Sequence, residues 1–164
     1  MLTYHYIFFG LSFLVFALYF LAIYWKYGIQ PSISDTYYTI WNRSPNPNNR
    51  WWFTLALWGF AFPLAIVGVE IHSMFWFAAV FIMFVGAAPA FKSRTTQRTI
   101  HIIGAIGGIS LALLGFLAVN MFFIVGLTLG FILYAYINRI PNRTWWVETA
   151  AFLTTWLGLL IAHI

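Results

Sequence analysis

The stretch that decides the fold class runs from Trp51 to Phe91 and reads WWFTLALWGFAFPLAIVGVEIHSMFWFAAVFIMFVGAAPAF. One transmembrane helix takes about 20 mainly apolar residues, so these 41 residues are too many for one straight span and enough for two. Polar residues near the middle, at 70–73, mark a place where the chain can turn. The stretch therefore predicts a membrane hairpin of two helices, at about residues 51–69 and 74–91.

The rest of the chain contains four more apolar segments of nearly spanning length. A second long stretch follows residue 100, and the polar Asn120 divides it in the same way. The further helices are predicted at about 4–25, 100–119, 121–137 and 145–162, with a long loop at 26–50. The predicted fold class is all-α: a polytopic integral membrane protein whose single domain, 1–164, is a bundle of six transmembrane helices.

The composition excludes an ordinary water-soluble domain. The chain is 63% hydrophobic and 7% charged, whereas soluble domains are roughly 45–50% apolar and about 25% charged. It has no Cys, which excludes disulfides, thiolate catalysis and iron–sulfur clusters. The net charge of +5 is assigned to membrane topology, so the sequence predicts neither a nucleic-acid partner nor a cofactor.

The Lys and Arg residues predict the orientation. Loops one, three and five are on one side of a six-helix bundle, and short loops rich in Lys and Arg stay in the cytoplasm. All eight cations fall in these loops: Lys26, Arg43 and Arg50 in the first, Lys92, Arg94 and Arg98 in the third, Arg139 and Arg143 in the fifth. Both termini are therefore predicted outside, in a multi-pass protein of a cytoplasmic or inner membrane.

The positions of the acidic residues disfavour several classes of membrane protein. Ionisable groups inside a membrane are typical of ion paths and proton relays, yet the three acids are predicted at turns, loops or a helix end. Glu148 is in the first turn of the last helix, where it suits the positive end of the helix dipole. A proton pump, a voltage sensor and a carrier of charged substrates are accordingly disfavoured.

The first inner loop is the most unusual segment, with QPSISDTYYT at residues 30–39. Its hydroxyls, carboxylate and aromatic rings share the inner side with several cations, a combination that can hold a phosphate or carboxylate headgroup. We expect a lipid or another amphipathic ligand to bind at the cytoplasmic leaflet. The predicted binding residues are Ser34, Asp35, Tyr38, Lys92, Arg94 and His101.

Two alternatives use other chemistry. Ser34, Asp35 and His101 are the residue types of a nucleophile, an acid and a base, so a membrane-embedded hydrolase or transferase acting on lipid headgroups is one alternative. A small metal or haem protein is the other. It would use the outer-side candidates His5, Glu70, His72 and His163. Because those four come from three separate helix ends, interfacial side chains are the favoured interpretation and no metal is predicted.

Glycines predict close helix packing. Gly104 with Gly108, and Gly126 with Gly130, have the GxxxG spacing that lets two helices approach in a membrane. The partner is either another helix of the same chain or another subunit, so a homo-oligomer or a role as a subunit of a membrane complex stays open. Pro63 predicts a kink in the second predicted helix.

Overall fold

The computed structural model of the chain describes residues 3–44, 46–92 and 94–164, without the side chains of Thr3, Pro47 and Arg50. Within these residues the chain is all-helical and contains no strand, as the sequence predicts. The helices are α1 (Thr3–Tyr27), α2 (Thr36–Arg43), α3 (Trp51–Ile71), α4 (Ser73–Ala87), α5 (Thr95–Ala118), α6 (Phe122–Ile137) and α7 (Arg143–His163). A short 3-10 turn at Pro47–Arg50 leads into α3.

Six of these helices coincide within a few residues with the six predicted segments, and α2 is the addition inside the long loop. The largest differences are at two helix ends. α4 ends at Ala87 rather than near 91, because Pro89 disfavours helical backbone at the residue before it. α5 begins at Thr95 rather than near 100, since a polar first turn can extend beyond the apolar segment.

In the described part of the chain, four helices are long and apolar enough to span a membrane: α1, α3, α5 and α7. The other two members of the bundle, α4 and α6, are apolar but have only 15 and 16 residues. The structure is therefore that of a helical protein with four candidate membrane spans, while the six-span topology stays a proposal.

The bundle has two ends, which we name by the segments they contain. The loop end carries the connections near residues 28–35, 88–92 and 138–142, where the Trp145 amide donates to the Pro31 carbonyl at 3.2 Å. The termini end carries the beginning of α1 and the end of α7, where the rings of His5 and His163 are 4.0 Å apart. All eight Lys and Arg residues belong to segments of the loop end.

The glycines of α5 pack against α4 within the chain. A Cβ added at Gly104 would be 2.7 Å from the carbonyl oxygen of Phe81, and one added at Gly108 would be 2.7 Å from the side chain of Ile82. This GxxxG pair therefore has its partner helix in the same chain. Gly126 and Gly130 differ, because in the described part of the chain no atom lies within 4 Å of a Cβ added there.

Two buried hydroxyls form hydrogen bonds between neighbouring helices. The hydroxyl of Ser12 in α1 donates to the carbonyl of Phe60 in α3 at 2.8 Å. The hydroxyl of Thr54 donates to the carbonyl of Gly86 in α4, also at 2.8 Å. Satisfied groups of this kind join neighbouring helices where water cannot compete.

Candidate functional site

A tight turn before α2 carries Ser34 into the protein. The Asp35 amide donates both to the Ser32 carbonyl at 3.2 Å and to the Ser32 hydroxyl oxygen at 3.0 Å. The Thr36 hydroxyl donates to the Ile33 carbonyl at 2.6 Å, which closes the turn and starts the helix. The Ser32 and Thr36 hydroxyls thus form the local bonds that Ser and Thr favour at helix starts, while Ser34 is buried.

Ser34 is hydrogen-bonded to His101 of α5. The Ser34 hydroxyl oxygen is 2.9 Å from His101 Nε2, and the two residues are only 7% and 6% exposed. His101 Nδ1 is 3.2 Å from the Ala88 carbonyl, which can only accept, so Nδ1 carries the proton and Nε2 accepts from the serine. The Phe91 ring stacks on the imidazole at 4.3 Å and 22°, which fixes its plane.

Asp35 lies elsewhere in the cluster. Its carboxylate forms an ion pair with Lys92, whose backbone amide donates to the Tyr38 hydroxyl oxygen at 2.5 Å. The Lys92 ammonium is also 5.4 Å from the centre of the Tyr38 ring. The sequence grouped Ser34, Asp35 and His101 as possible nucleophile, acid and base, but the group that contacts His101 Nδ1 is the Ala88 carbonyl.

Five of the six predicted binding residues are therefore neighbours in a bonded cluster: Ser34, Asp35, Tyr38, Lys92 and His101. The sixth, Arg94, is exposed at the start of α5. A cavity of about 50 Å³ lies beside Ser34. This volume fits a few water molecules rather than a lipid headgroup, since one water needs about 10–15 Å³ of such space.

Glu148 is a site residue that the sequence interpretation missed. It is half-buried in α7, its carboxylate accepts the Ile33 amide at 2.5 Å, and it lines the same cavity as Ser34. The sequence predicts Glu148 in the first turn of the last helix, beside the positive end of the helix dipole; this is wrong, because α7 begins at Arg143 and Glu148 is its sixth residue, in the second turn. The contact joins residues 115 positions apart in the chain, and no local sequence pattern indicates it.

A much larger groove opens between α1 and α3 at the loop end, with a volume of about 540 Å³. We call it the α1–α3 groove. Its apolar wall consists of Val15, Leu18, Ala22, Ile23, Leu55 and Ala56. Its polar end consists of Lys26, Tyr27, Asn49 and Trp52. The sequence interpretation missed this groove, because its two walls are about 40 residues apart and each resembles an ordinary lipid-facing helix surface.

At the termini end the structure brings together three of the four candidate metal ligands. His5 Nε2 is 2.8 Å from a Glu70 carboxylate oxygen, and the His5 ring contacts that of His163. His72 caps α4 instead, its Nδ1 accepting the Met74 amide at 3.3 Å. Over the described ranges of the chain, no three His, Asp or Glu side chains are arranged to hold a metal ion.

No family model matches the chain, and comparisons with the curated proteins and with the solved structures found no significant match.

Proposed function

We propose that the protein spans the membrane six times, with both termini outside, and that it binds a lipid or another amphipathic molecule in the α1–α3 groove at the cytoplasmic leaflet. The observation that carries this proposal is the groove itself. It combines an apolar wall with a lysine and an amide at one end. An acyl chain and a polar headgroup require this combination.

The length of the groove supports a lipid of one leaflet. Val15 and Lys26 are 11 residues apart on α1, which corresponds to about 17 Å of helix. The hydrocarbon core of a bilayer is about 30 Å thick, so one leaflet contributes about 15 Å. A chain lying along the groove would therefore place its headgroup beside Lys26, at the membrane surface.

The charge at the polar end favours an anionic headgroup. The chain has three acidic residues, and the structure places each with another partner: Asp35 with Lys92, Glu70 with His5, and Glu148 with the Ile33 amide. Lys26 is exposed and keeps its charge available. A lysine near an anionic surface contributes about 1 kcal/mol.

The proposed binding residues therefore lie outside the cluster predicted from sequence. The charge of Lys92 is neutralised by Asp35, and the cavity beside Ser34 is too small for a headgroup. The inner face stays the proposed binding side, but Lys26, Asn49 and Trp52 form the site there.

The first experiment measures lipid retention. The protein is extracted from bilayers of mixed anionic and zwitterionic phospholipids, and the retained lipids are counted by native mass spectrometry. Replacing Lys26→Gln should lower anionic-lipid retention about fivefold, the equivalent of about 1 kcal/mol. The matched control is Arg98→Gln, which removes an exposed cation outside the groove and should retain as much lipid as the parent.

The second experiment fills the groove. Ala22→Phe places a ring in the apolar wall, whereas Leu21→Phe adds a ring at the neighbouring exposed position, which is not part of the wall. Retention should fall for Ala22→Phe alone. Equal retention in all four variants would refute the proposal. It would favour a role as a membrane-complex subunit, for which the open α6 surface at Gly126 and Gly130 is the candidate contact.

A further inference from the structure

A second site lies inside the bundle, distinct from the α1–α3 groove. It consists of the Ser34–His101 pair and the apolar space next to it. We propose that Ser34 is a nucleophile, that His101 is its general base, and that the pair cleaves esters of an apolar carboxylic acid whose chain enters the bundle. This proposal goes beyond lipid binding in the groove and does not depend on it.

The pair has the geometry that proton transfer requires. A general base must be within about 2.6–3.2 Å of the atom whose proton it takes, and the separation of Ser34 Oγ and His101 Nε2 is 2.9 Å. The Ala88 carbonyl holds the proton on Nδ1, so the lone pair of Nε2 faces the serine. Stacking by Phe91 keeps the ring in that orientation.

Two bonds from α7 position the turn that carries Ser34. The Trp145 amide donates to the Pro31 carbonyl at 3.2 Å, and the Glu148 carboxylate accepts the Ile33 amide at 2.5 Å. The backbone immediately before Ser34 is thus attached to α7, while its side chain is attached to α5. Glu148 is therefore a positioning residue, because it acts on Ser34 through the backbone.

The space beside Ser34 suits an alkyl chain. The cavity of about 50 Å³ that Ser34 lines shares Ile82, Ile109 and Phe152 with a second cavity of about 40 Å³ further along the bundle. The lining of the second cavity includes Gly108 and Ala112, which place little side-chain volume in it. Apart from Ser34, Glu148 and Thr155, the walls of the two cavities are apolar. Such walls favour a hydrocarbon chain over a sugar or a phosphate, so the acid part of the ester is assigned to this space.

The reaction then proceeds in two balanced steps. Ser34 Oγ attacks the ester carbonyl carbon while its proton moves to His101 Nε2; the bond to the alcohol oxygen breaks, and His101 returns the proton to that oxygen. Water then attacks the acyl-serine ester, again giving a proton to His101, which passes it to Ser34 Oγ as the carboxylic acid leaves. One water is consumed, and no oxidant or reductant is needed.

The test uses a fluorophosphonate with a short alkyl chain, which phosphonylates an activated serine and releases fluoride. The full-length protein in lipid nanodiscs is incubated with the probe, and the adduct is located by mass spectrometry. We expect one adduct, on the peptide that contains Ser34, and none in Ser34→Ala. Ser110→Ala, which removes an exposed hydroxyl of α5, should label like the parent.

Two variants separate the roles of the neighbours. His101→Gln should slow labelling by about 100-fold or more, the usual contribution of a general base. The labelling rate of Asp35→Asn should stay within a few-fold of the parent's rate, since Asp35 pairs with Lys92 and not with His101. In the parent, the labelling rate should also fall at low pH as the imidazole becomes protonated, which a structural serine–histidine bond would not produce.

Absence of an adduct on Ser34 in parent protein of normal thermal stability would overturn the proposal. So would an adduct that forms at the same rate in folded His101→Gln protein. The lipid-binding proposal and the esterase proposal can be refuted independently. The Ala22→Phe variant should react with the fluorophosphonate at the parent's rate, and the Ser34→Ala variant should retain as much anionic lipid as the parent.

Discussion

Replacing Gly104→Ala tests the contact between α4 and α5 directly. The added Cβ would be 2.7 Å from the Phe81 carbonyl oxygen and 3.1 Å from the Val85 amide nitrogen. Carbon–oxygen contacts across helices are normally about 3.3–3.6 Å, so the two helices must separate by roughly 0.6–0.9 Å. These two atoms belong to backbone, which cannot rotate away as the third neighbour, the Val85 side chain at 3.0 Å, can.

The matched control is Gly126→Ala, at the first glycine of the other GxxxG pair, where an added Cβ has no described atom within 4 Å. Both substitutions gain the same helix propensity, about 0.5–1 kcal/mol relative to glycine. The difference between the two variants therefore isolates the packing cost, which for overpacking is typically about 1–3 kcal/mol.

The free energy of unfolding is measured by titrating the purified protein from mild detergent into sodium dodecyl sulfate and following tryptophan fluorescence. Gly104→Ala should be less stable than Gly126→Ala by about 1–3 kcal/mol. If the two variants unfold at the same detergent fraction, α4 is not the helix that covers Gly104, and the packing argument fails.

Three further results are expected. Glu148→Ala leaves the Ile33 amide without its acceptor and should lower the free energy of unfolding by about 1–3 kcal/mol. Glu148→Gln should lower it less, and equal decreases in thermal unfolding experiments would contradict this expectation. Ser12→Ala removes a buried hydroxyl from the Phe60 carbonyl and should cost about 0.5–1.5 kcal/mol in the same assay. A fluorescent reporter that matures only in the cytoplasm should be dark at the C-terminus and bright when inserted in the 26–50 loop; a bright C-terminal fusion would reverse the proposed topology.

The positions of the helices could be predicted because membrane dimensions limit their length. Turns at polar residues such as His72 and Asn120 divide apolar stretches that are too long for one helix, and the structure turns at both. α2 could not be predicted in the same way. It has only eight residues, and local turn bonds together with packing of Tyr37 and Ile40 against the bundle stabilise it.

The candidate site was predictable only in part. The sequence placed Ser34, Asp35 and His101 on one side of the protein, which follows from the order of the helices. It could not show that Asp35 pairs with Lys92, because Lys26 and Arg43 are much nearer to Asp35 in the chain. Glu148 joined the site through a contact that depends on how α7 packs, and packing between distant segments leaves no local signature.

The short helices α4 and α6 have a consequence for the surrounding bilayer. With 15 and 16 residues they are about 22 and 24 Å long, whereas the hydrocarbon core is about 30 Å thick. In the six-span topology proposed above, the lipids beside these helices must compress by about 6–8 Å, at a fraction of a kcal/mol for each ångström. Such a protein would deform thick, sterol-rich membranes and would be accommodated more readily in thin ones.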